Sequence, residues 1–292
     1  WGKKNPDHMQ FNGTRRLDRA SYASKKAIAG RVEMVRRLIK SCEAQSWGKR
    51  IIGYIPFGQD EGTHELSLFH GMFDQAPVMQ SAYRDFLLRK YKKDAVLRKA
   101  WHDPGVSLKT VKVPRDAEWQ ADRKTWLHWP DPKALRRYQD YFLLLRKLQY
   151  ETRRAELAVI RETAKRPLLT ATDSYKEPML GWLHNDAFFG SNRGMDWRNV
   201  LLSSGCFDAG EALDMPELDC LITPADYTAR SNGMGWDSEG IADSLVLRGK
   251  TILIEDDARS WVKGGRKTQG AWRNEAECRA GLMRNLCLAA SR

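Results

Sequence analysis

The chain has 292 residues and a net charge of +12, because 49 Lys and Arg stand against 37 Asp and Glu, and its 42% of hydrophobic residues argues against intrinsic disorder. It has no run of the roughly 18 to 20 apolar residues that a membrane-spanning helix needs, which excludes a helical integral membrane protein. Its five cysteines form no CxxC pair, which excludes a zinc ribbon or a dense disulfide framework.

The first half of the sequence predicts several helices around one strand. Apolar residues recur at helical spacing over 31–45, and a short apolar run at 51–57 then predicts a buried strand. Residues 103–129, with several Pro and Trp, predict a loop-rich excursion. Further helices are predicted over 77–91, up to residue 101, and from 132 to about 165.

The second half predicts alternating strands and helices. Strands are predicted at 168–172, 218–223 and 251–254, and helices at 209–215, 241–247 and 274–290. With the strand near 51–57, the four strands lack period-2 alternation, which is typical of a parallel sheet buried on both faces in an α/β protein. No GxGxxG or P-loop motif follows a strand, so nucleotide-binding folds lose their main support.

Polar and acidic residues collect directly after each predicted strand. In a (β/α)8 TIM barrel, this carboxyl end is the rim at which the βα loops build the active site. A helix N-cap would explain one such cluster, but four of four clusters favour a functional rim. The candidate substrate-binding residues there are Gln59, His64, Asp173, Tyr175, His184, Asp226, Tyr227, Asp257, Arg259 and Trp261.

Two carboxylates that converge from different strands suit glycoside hydrolysis, in which one donates a proton and the other attacks the anomeric carbon. Glu255 is the predicted nucleophile because it directly ends a strongly apolar strand, and Arg259 could hold a neighbouring carboxylate ionised. The alternative is that the acidic residues 255–257 cap a helix or bind a cation.

The acid/base residue is predicted within the loop that follows the first of these strands. Glu65 is the first choice and Glu61 a close second. Tyr227 could donate its hydroxyl to the nucleophile, although a buried structural Tyr would explain it equally well. The pair Asp256-Asp257 resembles a metal corner only weakly, because no His accompanies it at metal-ligand spacing, so we expect no metal.

Several segments resemble the clan A glycoside hydrolases, especially the family 42 beta-galactosidases. Residues 50–54 with 62–65 resemble the fourth barrel strand and its acid/base loop, and residues 254–259 resemble the seventh strand with its nucleophile. The remaining segments of the resemblance are 1–7, 73–79, 83–87, 90–101, 216–221, 224–227, 243–244 and 249–250.

The resemblance implies a TIM barrel, a retaining mechanism without cofactor, and a beta-linked galactoside or related glycan as substrate. It carries Glu255 over as nucleophile and Glu65 as acid/base. The usual Asn-Glu pair of the family is absent, since His64-Glu65 or Asp60-Glu61 stands in its place. The segment 185–204 resembles an insertion that would reshape the substrate site.

The resemblance also implies that residues 1–292 form a partial catalytic barrel domain with strands 4 to 7 and their helices. A half barrel would expose unpaired edges and apolar surface. We therefore expect the remainder of a longer polypeptide, or a second copy of the chain, to cover the gap. The sequence leaves the cellular compartment open.

Two other functions compete with hydrolysis. Eleven Trp would suit a carbohydrate-binding barrel that holds glycan without cleaving it, although Trp also fills ordinary cores. The charge of +12 would suit a polyanion, including an anionic polysaccharide cleaved at a basic rim, although solvated helix faces explain most of it. We expect a carbohydrate partner, and neither nucleic acid nor a membrane.

Overall fold

The computed structural model describes residues 1–56, 73–123, 132–173, 209–225, 233, 235, 238, 240–256, 260–261 and 272–291. The described helices are α1 (Lys25–Glu43), α2 (Pro77–Tyr91), α3 (Asp94–Trp101), α4 (Asp116–Arg123), α5 (Pro132–Ala164), α6 (Ala209–Leu213), α7 (Ala242–Val246) and α8 (Glu275–Ala290). The described strands are β1 (Met9–Phe11), β2 (Arg16–Ala20), β3 (Gly53–Tyr54), β4 (Leu169–Asp173), β5 (Cys220–Pro224) and β6 (Thr251–Glu255).

The order of these elements confirms most of the predicted helices and strands and corrects two regions. The predicted loop over 103–129 is wrong at α4, a helix whose first turn contains Asp116 and Glu118. Acidic residues at this end of a helix interact favourably with its dipole. The antiparallel pair β1–β2 was not predicted at all, because β1 has only three residues and three of the five residues of β2 are charged.

The chain divides into two compact units, residues 1–38 with 68–156 and residues 39–67 with 157–292. The first unit has an aromatic core. The ring centroid of Phe73 lies 5.0 Å from that of Tyr141, and that of Trp119 lies 4.9 Å from that of Tyr138. All four side chains are buried, so Trp119 fills a core instead of presenting a ring to a sugar.

A buried carboxylate joins three helices of the first unit. Asp140 of α5 is fully buried and accepts hydrogen bonds from the Tyr91 hydroxyl of α2 at 2.7 Å and from the Trp101 indole of α3 at 2.8 Å. The ammonium group of Lys90 also bonds to this carboxylate. A buried charge is tolerable only with such partners, so Asp140 has a structural role.

The second unit contains a four-stranded parallel sheet in the order β3-β4-β5-β6. The register pairs Asp173 with Ile222, Ile222 with Leu253, and Pro224 with Glu255. Among the described strands, neighbours in this sheet are also consecutive in the chain. That order is typical of a (β/α) barrel, whereas a doubly wound sheet reverses its strand order at a switch point.

The two faces of the sheet differ in their burial. On one face, Leu221 and Ile252 pack with residues of α6 and α7, namely Ala212, Leu213 and Leu245. On the other face, Leu169 and Leu253 remain 42% and 43% exposed. The prediction of strands buried on both faces is therefore wrong for β6, whose residues alternate between exposed and half-buried. Within the described residues, β6 has β5 as its one neighbouring strand.

Polar contacts join β3 to the C-terminal end of helix α1. The Arg166 guanidinium donates two hydrogen bonds of 2.8 Å to Glu43 of α1, and the Tyr54 hydroxyl donates a third at 3.0 Å. Arg166 lowers the pKa of the Glu43 carboxyl, while burial raises the pKa of Tyr54. Gly53 lets β3 approach β4, because a Cβ there would lie 2.5 Å from the carbonyl oxygen of Leu169.

Candidate functional site

The carboxyl ends of the four parallel strands lie at one edge of the sheet. These ends are Tyr54, Asp173, Pro224 and Glu255. The backbone amide of Ala225 donates a hydrogen bond of 3.0 Å to the carbonyl oxygen of Glu255, which extends the pairing of β5 and β6 to this edge. In barrels built from such strands, this edge is the one that carries the active site.

Glu255 and Asp256 are adjacent in sequence, yet they have different surroundings. Glu255 is the last residue of β6 and is exposed. By strand alternation it shares the face of Leu253, away from the face that α6 and α7 cover. Asp256 accepts hydrogen bonds from the side-chain amide of Asn285 in α8, at 3.0 Å to each carboxylate oxygen. Both residues are exposed, but the Asp256 carboxylate is engaged by Asn285, whereas Glu255 lies on the face opposite α6 and α7.

Helix α8 is placed by features that sequence reasoning missed. Its N-cap Asn274 accepts a hydrogen bond from the Glu277 amide, which satisfies a free donor of the first turn. Its buried residues are Gly281 and Asn285, which lie four positions apart and so share one face. The ring of Trp272 packs directly on Gly281. An Asn within the apolar run of the second half of the helix, where Leu282, Met283 and Leu286 surround it, was the available signal for Asn285.

Both the oxygen and the nitrogen of the Asn285 side-chain amide form hydrogen bonds. Its oxygen accepts a hydrogen bond of 3.0 Å from the Arg284 guanidinium, and its nitrogen faces Asp256. Burial lowers the pKa of Arg284, and the nearby Asp256 carboxylate acts in the opposite direction. Arg284, Asn285 and Asp256 thus form one polar chain beside the end of β6.

The predicted site residues fall partly outside the described residues. Glu255 ends β6 and Asp173 ends β4, so the structure brings these two positions to the same edge, with β5 between them. Trp261 is half-buried. The predicted residues that lie outside the described ranges are Gln59, Glu61, His64, Glu65, Tyr175, His184, Asp226, Tyr227, Asp257 and Arg259.

The described part of the chain contains neither a metal-ligand cluster nor a helix suited to a membrane. In that part, no three His, Cys, Asp or Glu side chains cluster closely enough to hold a metal ion. None of the described helices combines the length and the apolar character that crossing a bilayer demands.

An open cavity of about 470 Å³ lies at the opposite edge of the sheet, where the strands begin. It is lined by Arg161, Arg166, Asp219 and the apolar residues Ile52, Pro167, Leu168 and Leu169. Arg161 donates to Asp219 at 2.7 Å, and Asp219 also accepts from the Thr170 amide at 2.9 Å. The arginines are thus engaged in holding the sheet, as is usual for the edge of a barrel that contributes stability.

No family model matches the sequence, and no curated protein is significantly similar to it. Among solved structures, the chain is similar to the catalytic domain of beta-amylase from Paenibacillus polymyxa, with a TM-score of 0.60 and 12% identity, over 88% of this chain and 63% of that one.

The chain is also similar to beta-galactosidases from the psychrophilic Marinomonas ef1 and from Bacillus circulans sp. alkalophilus, each with a TM-score of 0.49 and 13% identity. The alignments cover 99% and 98% of this chain and 48% and 43% of those structures. This chain therefore spans less than two thirds of the length of the structures it resembles.

The similarity to the beta-amylase domain shows the fold of the chain. That fold is the mixed α/β architecture with a parallel sheet found in TIM-barrel glycoside hydrolases. It agrees with the strand order β3-β4-β5-β6 of the described parallel sheet.

Proposed function

We propose that this protein is a glycoside hydrolase and that Glu255 is its catalytic nucleophile. The proposal is supported above all by the position of Glu255, exposed at the carboxyl end of a parallel strand in a sheet with barrel-type strand order. The fold shared with the beta-amylase catalytic domain is consistent with it. Asp256 is exposed as well, but its carboxylate is bonded to Asn285, which favours Glu255 as the nucleophile of the two.

The proposed reaction is a double displacement with retention at the anomeric carbon. Glu255 attacks that carbon as the glycosidic C–O bond breaks, and the leaving oxygen takes a proton from Glu65 or Glu61. The resulting carboxylate then accepts a proton from water, whose oxygen attacks the anomeric carbon and releases Glu255. A retaining pair requires carboxyl groups about 5–5.5 Å apart, whereas inversion requires a wider gap for a bound water.

The proposed substrate is a beta-linked galactoside or a related glycan, as the resemblance to family 42 beta-galactosidases implies. The ten rim residues named from the sequence would bind its hydroxyl groups. No cofactor enters the proposed reaction, because the two carboxylates supply both the nucleophile and the proton. A basic rim that binds an anionic polysaccharide is a variant of the same proposal.

We further propose that additional strands complete the sheet into a barrel. Leu169 and Leu253 expose apolar surface on the face opposite the helices, and within the described residues β3 and β6 each have one neighbouring strand. A parallel sheet is normally covered on both faces. The strands would come from the remainder of the same polypeptide or from a second copy of the chain.

The test is the loss of hydrolysis in Glu255→Gln, measured on a panel of chromogenic beta-galactosides and related glycosides. The amide cannot attack the anomeric carbon, so we expect turnover to fall at least about 1,000-fold, as for other essential nucleophiles. Azide should restore turnover in the smaller Glu255→Ala variant, with release of a glycosyl azide of inverted configuration. NMR of the wild-type reaction should instead show a first-formed sugar of retained configuration.

The matched control is Glu162→Gln, the same substitution at an exposed position of α5. It should hydrolyse the panel as well as the wild type does. An active Glu255→Gln variant would refute the nucleophile. Glycan binding by calorimetry without any hydrolysis by the wild type would refute the enzyme and favour a carbohydrate-binding barrel.

A further inference from the structure

We infer that Asn285 is a positioning residue, which holds the end of β6 through Asp256 and thereby orients the Glu255 carboxylate. The inference rests on the proposed function of Glu255 for its catalytic consequence. Its structural part rests on the hydrogen bonds of 3.0 Å from the Asn285 amide to both oxygens of Asp256. Asn285 does not act on the substrate itself.

The burial pattern of α8 shows that Asn285 occupies a position where an apolar residue would be expected. Asn285 is 3% exposed, while Leu282, Met283 and Leu286 of the same helix are 47%, 60% and 64% exposed. Burying an amide costs free energy unless its hydrogen bonds are satisfied, and each end of this amide has a partner. At this buried position, where a leucine would pack, helix α8 instead presents an amide that donates to Asp256, the residue after Glu255.

The contact reaches Glu255 through the backbone. Asp256 follows the last residue of β6, so fixing its side chain on the helical side fixes the peptide that joins it to Glu255. Alternation along a strand then turns the Glu255 side chain to the opposite side. The carbonyl of Glu255 is also held by the Ala225 amide at 3.0 Å, which makes that amide a direct reporter of the position.

The test compares Asn285→Ala with Asn274→Ala, the same substitution at the N-cap of the same helix. Both weaken α8, but only Asn285 contacts Asp256. A carboxylate displaced by about 1 Å can cost up to 100-fold in rate. We expect Asn285→Ala to lower kcat by about 10- to 100-fold with KM within about twofold, and Asn274→Ala to leave both within about twofold.

Two further measurements separate positioning from general destabilisation. Hydrogen exchange of the Ala225 amide should accelerate in Asn285→Ala relative to the other amides of β5, and it should change in step with them in Asn274→Ala. A double variant, Asp256→Asn with Asn285→Asp, swaps the two side chains, so that the amide lies after β6 and the carboxylate lies on α8. This double variant should recover most of the kcat that each single variant loses.

Each outcome decides the inference. Equal kcat losses in Asn285→Ala and Asn274→Ala, or no selective acceleration at Ala225, would overturn it. If the wild type hydrolyses no glycoside, the proposed function fails and the catalytic role of Asn285 falls with it. The exchange measurement would then decide the anchoring of β6 alone, because it needs no substrate.

Discussion

Gly281 offers a direct test of how helix α8 is seated. An added Cβ at this position would lie 2.3 Å from Cζ2 and 2.5 Å from Cε2 of Trp272. Both distances are far below ordinary van der Waals contact. The indole is 2% exposed, so it has little room to move away. Gly281→Ala must therefore displace the ring or the helix.

The expected free-energy change combines two opposing contributions. Forcing extra atoms into a well-packed core typically costs about 1–3 kcal/mol, and an overlap of this size places the cost near about 3 kcal/mol. Replacing a helical Gly by Ala offsets about 1 kcal/mol of that cost through helix propensity. We expect Gly281→Ala to lower the free energy of unfolding by about 2 kcal/mol.

Urea unfolding followed by circular dichroism and tryptophan fluorescence measures this change. The matched control is Gly30→Ala in α1, where an added Cβ meets no atom within 4 Å and should raise the stability by about 0.5–1 kcal/mol. Trp272→Leu should relieve the penalty of Gly281→Ala in the double variant, because the clashing ring is gone. A Gly281→Ala protein as stable as the wild type would refute the packing of Trp272 on α8.

Two further predictions concern the first unit. Asp140→Ala removes the buried carboxylate that accepts three hydrogen bonds, so it should lower the free energy of unfolding by about 3 kcal/mol. Tyr91→Phe removes only one of the three donors and should lower it by about 1 kcal/mol in the same urea titration. Burial raises the pKa of Asp74 above its ordinary 3.8. Between the ordinary and the raised pKa, the folded protein therefore binds more protons than the unfolded chain. The contribution of Asp74 to the free energy of unfolding falls as pH rises through this window. Asp74→Asn should therefore gain in melting temperature over the wild type as pH rises through the window, and a difference that is independent of pH would contradict the assignment.

The local order of the chain could be predicted from the sequence. Apolar spacing indicated α1, α2 and α5, and the branched apolar runs indicated β4, β5 and β6, because side chains repeat with the period of the backbone that carries them. Glu255 was named for the same local reason, since it directly follows an apolar strand. These inferences need only neighbours along the chain.

Other features depend on residues that are distant in sequence. The exposed alternation of β6 follows from which strands and helices cover it, and no local pattern encodes that cover. The sequence likewise drew attention to Trp residues as sugar platforms, yet Trp119 and Trp272 are buried in packed cores. Burial of a ring is decided by the elements that surround it.

The acidic residues 255–257 show most clearly which features follow from the local sequence and which depend on tertiary packing. The sequence alone determined that carboxylates follow β6, and it ranked Glu255 first among them. Only the tertiary structure decided that Asp256 is held by Asn285, which is 29 positions away along the chain, and that Glu255 lies on the face opposite α6 and α7. Alternation places adjacent side chains on opposite sides of a strand, but which side meets a helix is set by packing over long sequence separations.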